Sequence, residues 1–141
     1  MKNNNKNYKY KIAIIPGDGI GKEVIDACLT ILEEVLDLTR VKISKTIFSW
    51  GSNYFRKHGI MMPNNGIEKL LNFDAILFGA VGDPEIEDDI TLWGLRLEIC
   101  QKLDQFVNIR PSKFIPGVKS PLNHDLAKKI DWIIVRENSE G

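Results

Sequence analysis

Arg96, Arg110 and Arg136 are the side chains best suited to binding chemistry in this sequence. Arg110 and Arg136 each close an apolar run, where a β-strand would deliver a side chain to the crest of a sheet, the usual ligand position in open α/β folds. A planar guanidinium grips a carboxylate through two parallel hydrogen bonds, so arginines converging on one point would suit a small polycarboxylate. The ordinary alternative is a solvated or ion-paired surface arginine at each position, and spacing alone does not show convergence. Gly17-Asp18-Gly19-Ile20-Gly21-Lys22 invites a phosphate-loop reading. Its spacing departs from both standard patterns. A dinucleotide fingerprint needs G-x-G-x-x-G, and a P-loop needs four residues before Gly-Lys and then Ser or Thr, where this chain has Glu23. The segment reads as a tight strand-to-helix turn.

The acidic run Glu85, Glu87, Asp88 and Asp89 reads as an exposed loop rather than a hard-cation site, which would need ligands in fixed geometry. His58 and His124 lie in polar, turn-like surroundings without a ligand-spaced neighbour, and no Ser/His/Asp or Cys/His arrangement can be assembled. Cys28 and Cys100 are too few and too distant for a disulfide framework or zinc site, and both are expected as reduced thiols. Trp50, Trp93 and Trp132 are expected in the core.

The elements that must position these residues follow an α/β pattern. Residues 1–9 read as a flexible leader. Lys11 to Ile15 form an apolar run closed by Pro16-Gly17, predicting a strand buried on both faces. A helix should follow from Lys22, with Val24, Ile25, Cys28, Ile31, Leu32, Val35 and Leu36 at three- and four-residue spacing. Val41 to Trp50 predicts a second strand, Gly51 to His58 a short helix stopped by Gly59, and Ile67 to Asn72 another helix. Asp74 to Gly82 reads as the clearest buried strand, and Leu92 to Leu103 as a helix. Phe106 to Ile109 and Trp132 to Val135 are further apolar runs, with Pro111, Pro116 and Pro121 between them. The fold class expected is α/β, a mostly parallel sheet with flanking helices. Because a charged turn follows the last apolar run directly, an incomplete polypeptide is expected.

Composition supports this class. The chain has 141 residues, 43% hydrophobic and 27% charged, with 19 basic side chains balancing 19 acidic ones. Collagen-like and disordered chains are excluded by the apolar content, and a balanced, scattered charge does not suit nucleic-acid binding. No apolar run approaches the ~20 residues of a membrane span, and the polar start is no signal peptide. The expected partners therefore include neither nucleic acid nor membrane, and the expected location is cytoplasmic.

Four segments go beyond generic α/β logic: Ile14 to Val24 (IIPGDGIGKEV), Asp74 to Gly82 (DAILFGAVG), Asp104 to Pro111 (DQFVNIRP) and Ile133 to Gly141 (IIVRENSEG). Together they resemble the metal-dependent β-decarboxylating dehydrogenases, the family of isocitrate and 3-isopropylmalate dehydrogenases. Trp50-Gly51-Ser52, Gly59 to Pro63 and Ile90 to Gly94 look most like its tartrate and D-malate dehydrogenase branch. The likeness runs in order through residues 10–141 and spans less than half of a complete member.

The resemblance implies an isopropylmalate-dehydrogenase-like fold present in its N-terminal part only. Residues 10–104 would belong to the first α/β domain, and residues 105–141 would begin the second, substrate and dimerisation domain. It implies oxidation of a dicarboxylic 2-hydroxy acid by NAD, or NADP, with decarboxylation and with Mg2+ or Mn2+ in the complete member, which would be a homodimer. Arg110 and Arg136 match two substrate-gripping arginines of the family. The third such position holds Cys100; Arg96, four residues earlier, would share its helix face and read the substituent on the substrate's third carbon. Ile20 matches a residue beside the nicotinamide end of the cofactor, and Gly79 to Trp93 match a loop near it, which places Trp93 among the cofactor-binding candidates. The family's catalytic tyrosine and lysine and its metal-binding aspartates would lie beyond Gly141, so these residues alone are expected to be inactive. The alternative is a non-catalytic product acting as an anion-binding or subunit-interaction module.

Overall fold

The structure, a computed structural model, describes residues 9–122 and 125–137. Most of the expected leader, His124 and the Asn138 to Gly141 segment lie outside the described residues. The chain divides into two compact units, one up to Ile99 and one from Cys100.

The first unit is built on a parallel sheet of three strands in the order β2-β1-β3. The central strand, β1 (Lys9–Gly17), carries Ala13, Ile14 and Ile15 in succession with no solvent exposure, the double-sided burial expected of a middle parallel strand. Helix α1 (Gly21–Asp37) crosses over to β2 (Lys42–Ile47) and lies against β1 and β3. Its apolar positions divide into two stripes. Ile25, Leu29, Leu32 and Leu36 point inward, whereas Val24, Cys28, Ile31 and Val35 line an exposed face.

After β2 come two short helices, α2 (Ser52–His58) and α3 (Gly66–Leu70). Gly59 ends α2 in the left-handed conformation, φ 73°, with its N–H donating to the Phe55 carbonyl at 2.7 Å. Phe48, Trp50 and Phe73 form an aromatic cluster, with ring centroids 4.5 Å apart for Phe48 and Trp50 and 5.6 Å apart for Phe48 and Phe73. Strand β3 (Ala75–Ala80) is half-buried rather than fully buried as expected, because it forms an edge of its small sheet. It is anchored at its start by Asp74, whose carboxylate accepts from the Lys11 N–H at 2.7 Å.

The expected helix from Leu92 begins earlier and differently. A π-helical segment, Asp89–Leu97, runs directly into α4 (Glu98–Lys102). Such wide turns recur at functional sites. Within the segment Thr91 and Leu95 are buried, and the Thr91 hydroxyl donates to the Asp88 carbonyl at 3.3 Å.

The second unit is organised by an antiparallel ribbon of β4 (Val107–Lys113) and β5 (Asp131–Glu137). Arg110 lies within its strand instead of at its end, since β4 continues through Pro111, which an edge strand tolerates, whereas Arg136 is the penultimate residue of β5. Trp132 is 61% exposed, as is Trp93 at 58%, so only Trp50 of the three tryptophans is a core aromatic. Trp132 stands on a ribbon face that no described layer covers, and Trp93 opens onto a groove. Both cysteines are free, Cys28 exposed and Cys100 half-buried. Among the described residues no helix is long and apolar enough to cross a membrane.

Candidate functional site

The three parallel strands end at one edge, and the loops that follow them meet there. Asp18, just after β1, is the meeting point. It is buried, and its carboxylate accepts three hydrogen bonds: from the Ser52 N–H at 2.7 Å, from the Ser52 hydroxyl at 2.8 Å and from the Gly82 N–H at 3.2 Å. Ser52 follows β2 and opens α2; Gly82 follows β3. A buried carboxylate is tolerated when donors surround it, and here all three come from other loops. Ser52 N–H is the first donor of α2, so Asp18 caps that helix from across the sheet while the N-cap position, Gly51, leaves it room. A Cβ on Gly51 would stand 2.7 Å from Asp18 Oδ1.

The glycine turn has its own packing reason. A Cβ on Gly17, Gly21 or Gly79 would collide with backbone atoms of Pro16, Ala80 or Gly21, so these glycines let the start of α1 and the end of β3 approach backbone to backbone. The Asp18 N–H donates to the Ala80 carbonyl and the Gly21 N–H to the Asp18 carbonyl, both at 2.8 Å. Two amides of the turn, those of Asp18 and Gly21, are thus engaged within the protein.

Beyond Gly82 the acidic loop is tied to α2. Arg56 donates to Asp83 at 2.8 Å and to Glu85 at 2.9 Å. The Asp83 carboxylate also accepts from the Glu85 N–H at 3.0 Å. That backbone bond, with the Arg56 guanidinium beside it, holds the Asp83 carboxyl below the usual carboxylate range. In turn, hydrogen bonds to Asp83 and Glu85 raise the Arg56 pKa. Glu87, Asp88 and Asp89 are exposed. Among the described residues no group of three or more His, Cys, Asp or Glu side chains is arranged to hold a metal ion. His58 is exposed and lies 4.2 Å, centroid to centroid, from the Tyr54 ring.

Ile20, 66% exposed, sits in the turn at the carboxyl edge, and Trp93 lies in the π-helical segment that the acidic loop enters. Trp93 also borders a groove of about 680 Å3 floored by Met61, Met62 and Ile67, with Asp89 and Glu98 among its lining residues. Arg96 is half-buried in the same segment of the first unit.

In the second unit the register opposes Asn108 to Arg136 and Arg110 to Ile134. Cross-strand partners share a face and side chains alternate along a strand, so Asn108, Arg110 and Arg136 point to the same side of the ribbon. Arg110 and Arg136 are diagonal neighbours, a relation that typically spans roughly 7–8 Å between residues. The structure thus brings two of the three arginines onto one face, with a side-chain amide beside them. Sequence reasoning passed over Asp18 and Arg56, whose roles rest on contacts between loops distant in the chain.

Comparison with known proteins bears on this arrangement. The isocitrate/isopropylmalate dehydrogenase family profile matches residues 11–141. The chain belongs to that family. A relative within reach of the same comparison is a probable tartrate dehydrogenase/decarboxylase of Agrobacterium vitis, 56% identical over 134 residues, which cover 94% of this chain and 37% of the relative. The D-malate dehydrogenase [decarboxylating] of Escherichia coli K12 is 44% identical over 133 residues, 93% of this chain and 37% of its own length. Among solved structures, a β-decarboxylating dehydrogenase of Thermococcus kodakarensis matches with a TM-score of 0.67 at 30% identity over 94% of this chain and 35% of that one. The isocitrate dehydrogenase of Methylococcus capsulatus shares the fold, with a TM-score of 0.73 at 24% identity, over 94% of this chain and 35% of that one. The chain therefore spans little more than a third of the length of these family members.

Proposed function

We propose that these residues form part of an NAD- or NADP-dependent, divalent-metal-dependent dehydrogenase that oxidises and decarboxylates a dicarboxylic 2-hydroxy acid of the tartrate or D-malate type. The observation that carries the reading is the shared ribbon face of Arg110 and Arg136 in a chain of this family. Two guanidiniums on one face suit two carboxylate oxygens of one small molecule, and Asn108 beside them can donate to a hydroxyl or carboxylate. Arg96 is assigned to the substituent on the third carbon. Cys100 stands where the family resemblance leads one to expect a gripping arginine, which leaves Arg110 and Arg136 for that role.

Ile20 and Trp93 offer exposed apolar surface at the sheet edge and on the segment reached from it, and we assign them to the nicotinamide end of the cofactor. They fit a planar ring, while the spacing of the glycine turn departs from the patterns that cradle phosphates. When bound, the nicotinamide accepts hydride from the substrate's hydroxyl-bearing carbon. Among the described residues no set of side chains fits a metal site. Residues 10–104 would contribute to the first domain and 105–141 to the second, in a homodimeric, cytoplasmic enzyme that this stretch alone does not complete.

The test is a steady-state assay with D-malate and with tartrate, NAD+ and Mn2+, on this chain and on any coding sequence that continues it. Arg110→Met or Arg136→Met should raise KM on the order of 10- to 100-fold, the equivalent of one charge-assisted hydrogen-bond pair of about 1.5–3 kcal/mol. Unchanged KM in both variants would remove the arginines from the substrate. A second reading, a non-catalytic subunit-interaction module, is favoured by the exposure of Ile109, Ile133 and Val135 on the opposite ribbon face. Dehydrogenase activity in no form of the protein, with tight binding to a family subunit, would select it.

A further inference from the structure

The carboxyl edge of the sheet is closed by two anchors that converge on adjacent residues. Asp18 reaches the Gly82 N–H, and Arg56 reaches Asp83 and, two residues on, Glu85. Both anchors involve one face of α2, because Ser52, which Asp18 grips, and Arg56 are four residues apart on the same short helix.

We propose that α2 is the strut that fixes the loop after β3 at the carboxyl edge, with Asp18 and Arg56 as its positioning residues. The proposal rests on, and deepens, the reading that this loop borders the nicotinamide. The loop's internal bonds make it a rigid piece for the strut to hold: Glu85 N–H donates to the Asp83 carboxylate, Ile86 N–H donates to the Asp83 carbonyl at 3.0 Å, and Pro84 fixes the backbone between them. An isolated exposed ion pair would contribute little. Here the guanidinium engages two carboxylates of one turn at once, and the Asp83 side chain is only 16% exposed. Any shift of α2 is thereby transmitted to residues 82–86.

Amide hydrogen exchange followed by mass spectrometry, at concentrations low enough to keep the 141-residue chain monomeric, tests the strut. In Arg56→Ala, amides of residues 82–88 should exchange at least about tenfold faster while those of β1 and β3 keep their rates. Arg56→Lys should restore part of the protection, since an ammonium offers a point charge where the guanidinium offers a planar fork. Phe55→Ala, which leaves both anchors intact, should not single out the loop. Unchanged loop exchange in Arg56→Ala, or a uniform rise in all amides, would overturn the proposal. A further arm with NADH separates it from the cofactor reading. Added protection of the loop by NADH, diminished in Arg56→Ala, supports both. Loop opening in Arg56→Ala with no effect of NADH, on the 141-residue chain or on a longer form that turns over substrate, leaves the strut standing and removes the cofactor from the loop.

Discussion

Asp18 is chemically specific at the level of single atoms. Its Oδ1 accepts a backbone N–H from Ser52, and its Oδ2 accepts the Ser52 hydroxyl and the Gly82 N–H. An asparagine would have to turn its NH2 group toward one of those two backbone donors. Asp18→Asn should therefore destabilise the first unit although it is nearly isosteric, and Asp18→Ala should cost about 3 kcal/mol by leaving the buried donors without acceptors. Urea unfolding of the three proteins reads the order directly; equal midpoints for Asn and Asp would show that the charge is not needed. The Arg56–Asp83 contact carries a pH dependence of defined sign. The Asp83 pKa lies below its ordinary 3.8, so the contribution of its ionised form is present above that value and is lost as pH falls through the depressed pKa. Carboxyl chemical shifts followed from pH 6 downward, on the order of four units, should place the Asp83 midpoint below the ordinary 3.8. Neither residue was legible from spacing, because Asp18 and Arg56 acquire meaning only when the sheet brings loops 34 and 27 residues apart into contact.

At the scale of elements, local signals that need no partner were readable. The apolar run of β1 and the stop at Gly59 follow from side-chain volume and backbone freedom, and both appear as expected. Gly59 has φ 73° with open space where a Cβ would stand, so Gly59→Ala should cost about 1 kcal/mol from backbone conformation alone, measured by thermal or urea unfolding. A larger loss would mean that α2 depends on contacts not visible at its end. Ribbon geometry, in contrast, was not readable. The apolar runs after Gln105 resemble parallel core strands as sequence, yet their pairing partner is each other, and only the register reveals that Arg110 and Arg136 share a face. Trp93 and Trp132 failed as core residues for a related reason: size predicts burial only where another layer is present to supply it.

For the whole molecule, the decisive feature is apolar surface left open by elements that are themselves well formed. On α1, Val24, Ile31 and Val35 are 51%, 66% and 48% exposed along one stripe, beside a second stripe that faces the sheet. On the ribbon, Ile109, Ile133 and Val135 repeat the pattern, being 63%, 69% and 67% exposed on the face opposite the arginines. Contiguous apolar patches of this kind are rare on monomeric soluble proteins and mark surfaces that bind other protein. A polypeptide consisting of these 141 residues alone should therefore enhance the fluorescence of an apolar dye and elute above its monomer mass, with both effects rising with concentration. Ile31→Lys combined with Ile133→Lys should reduce both without loss of helical circular dichroism, because neither side chain supports the core of its own unit. Monomeric elution and a single cooperative thermal transition in the unsubstituted chain would show instead that the two faces are satisfied within it. In that case the module reading would gain over the enzyme reading, since a unit that needs no cover can act by itself.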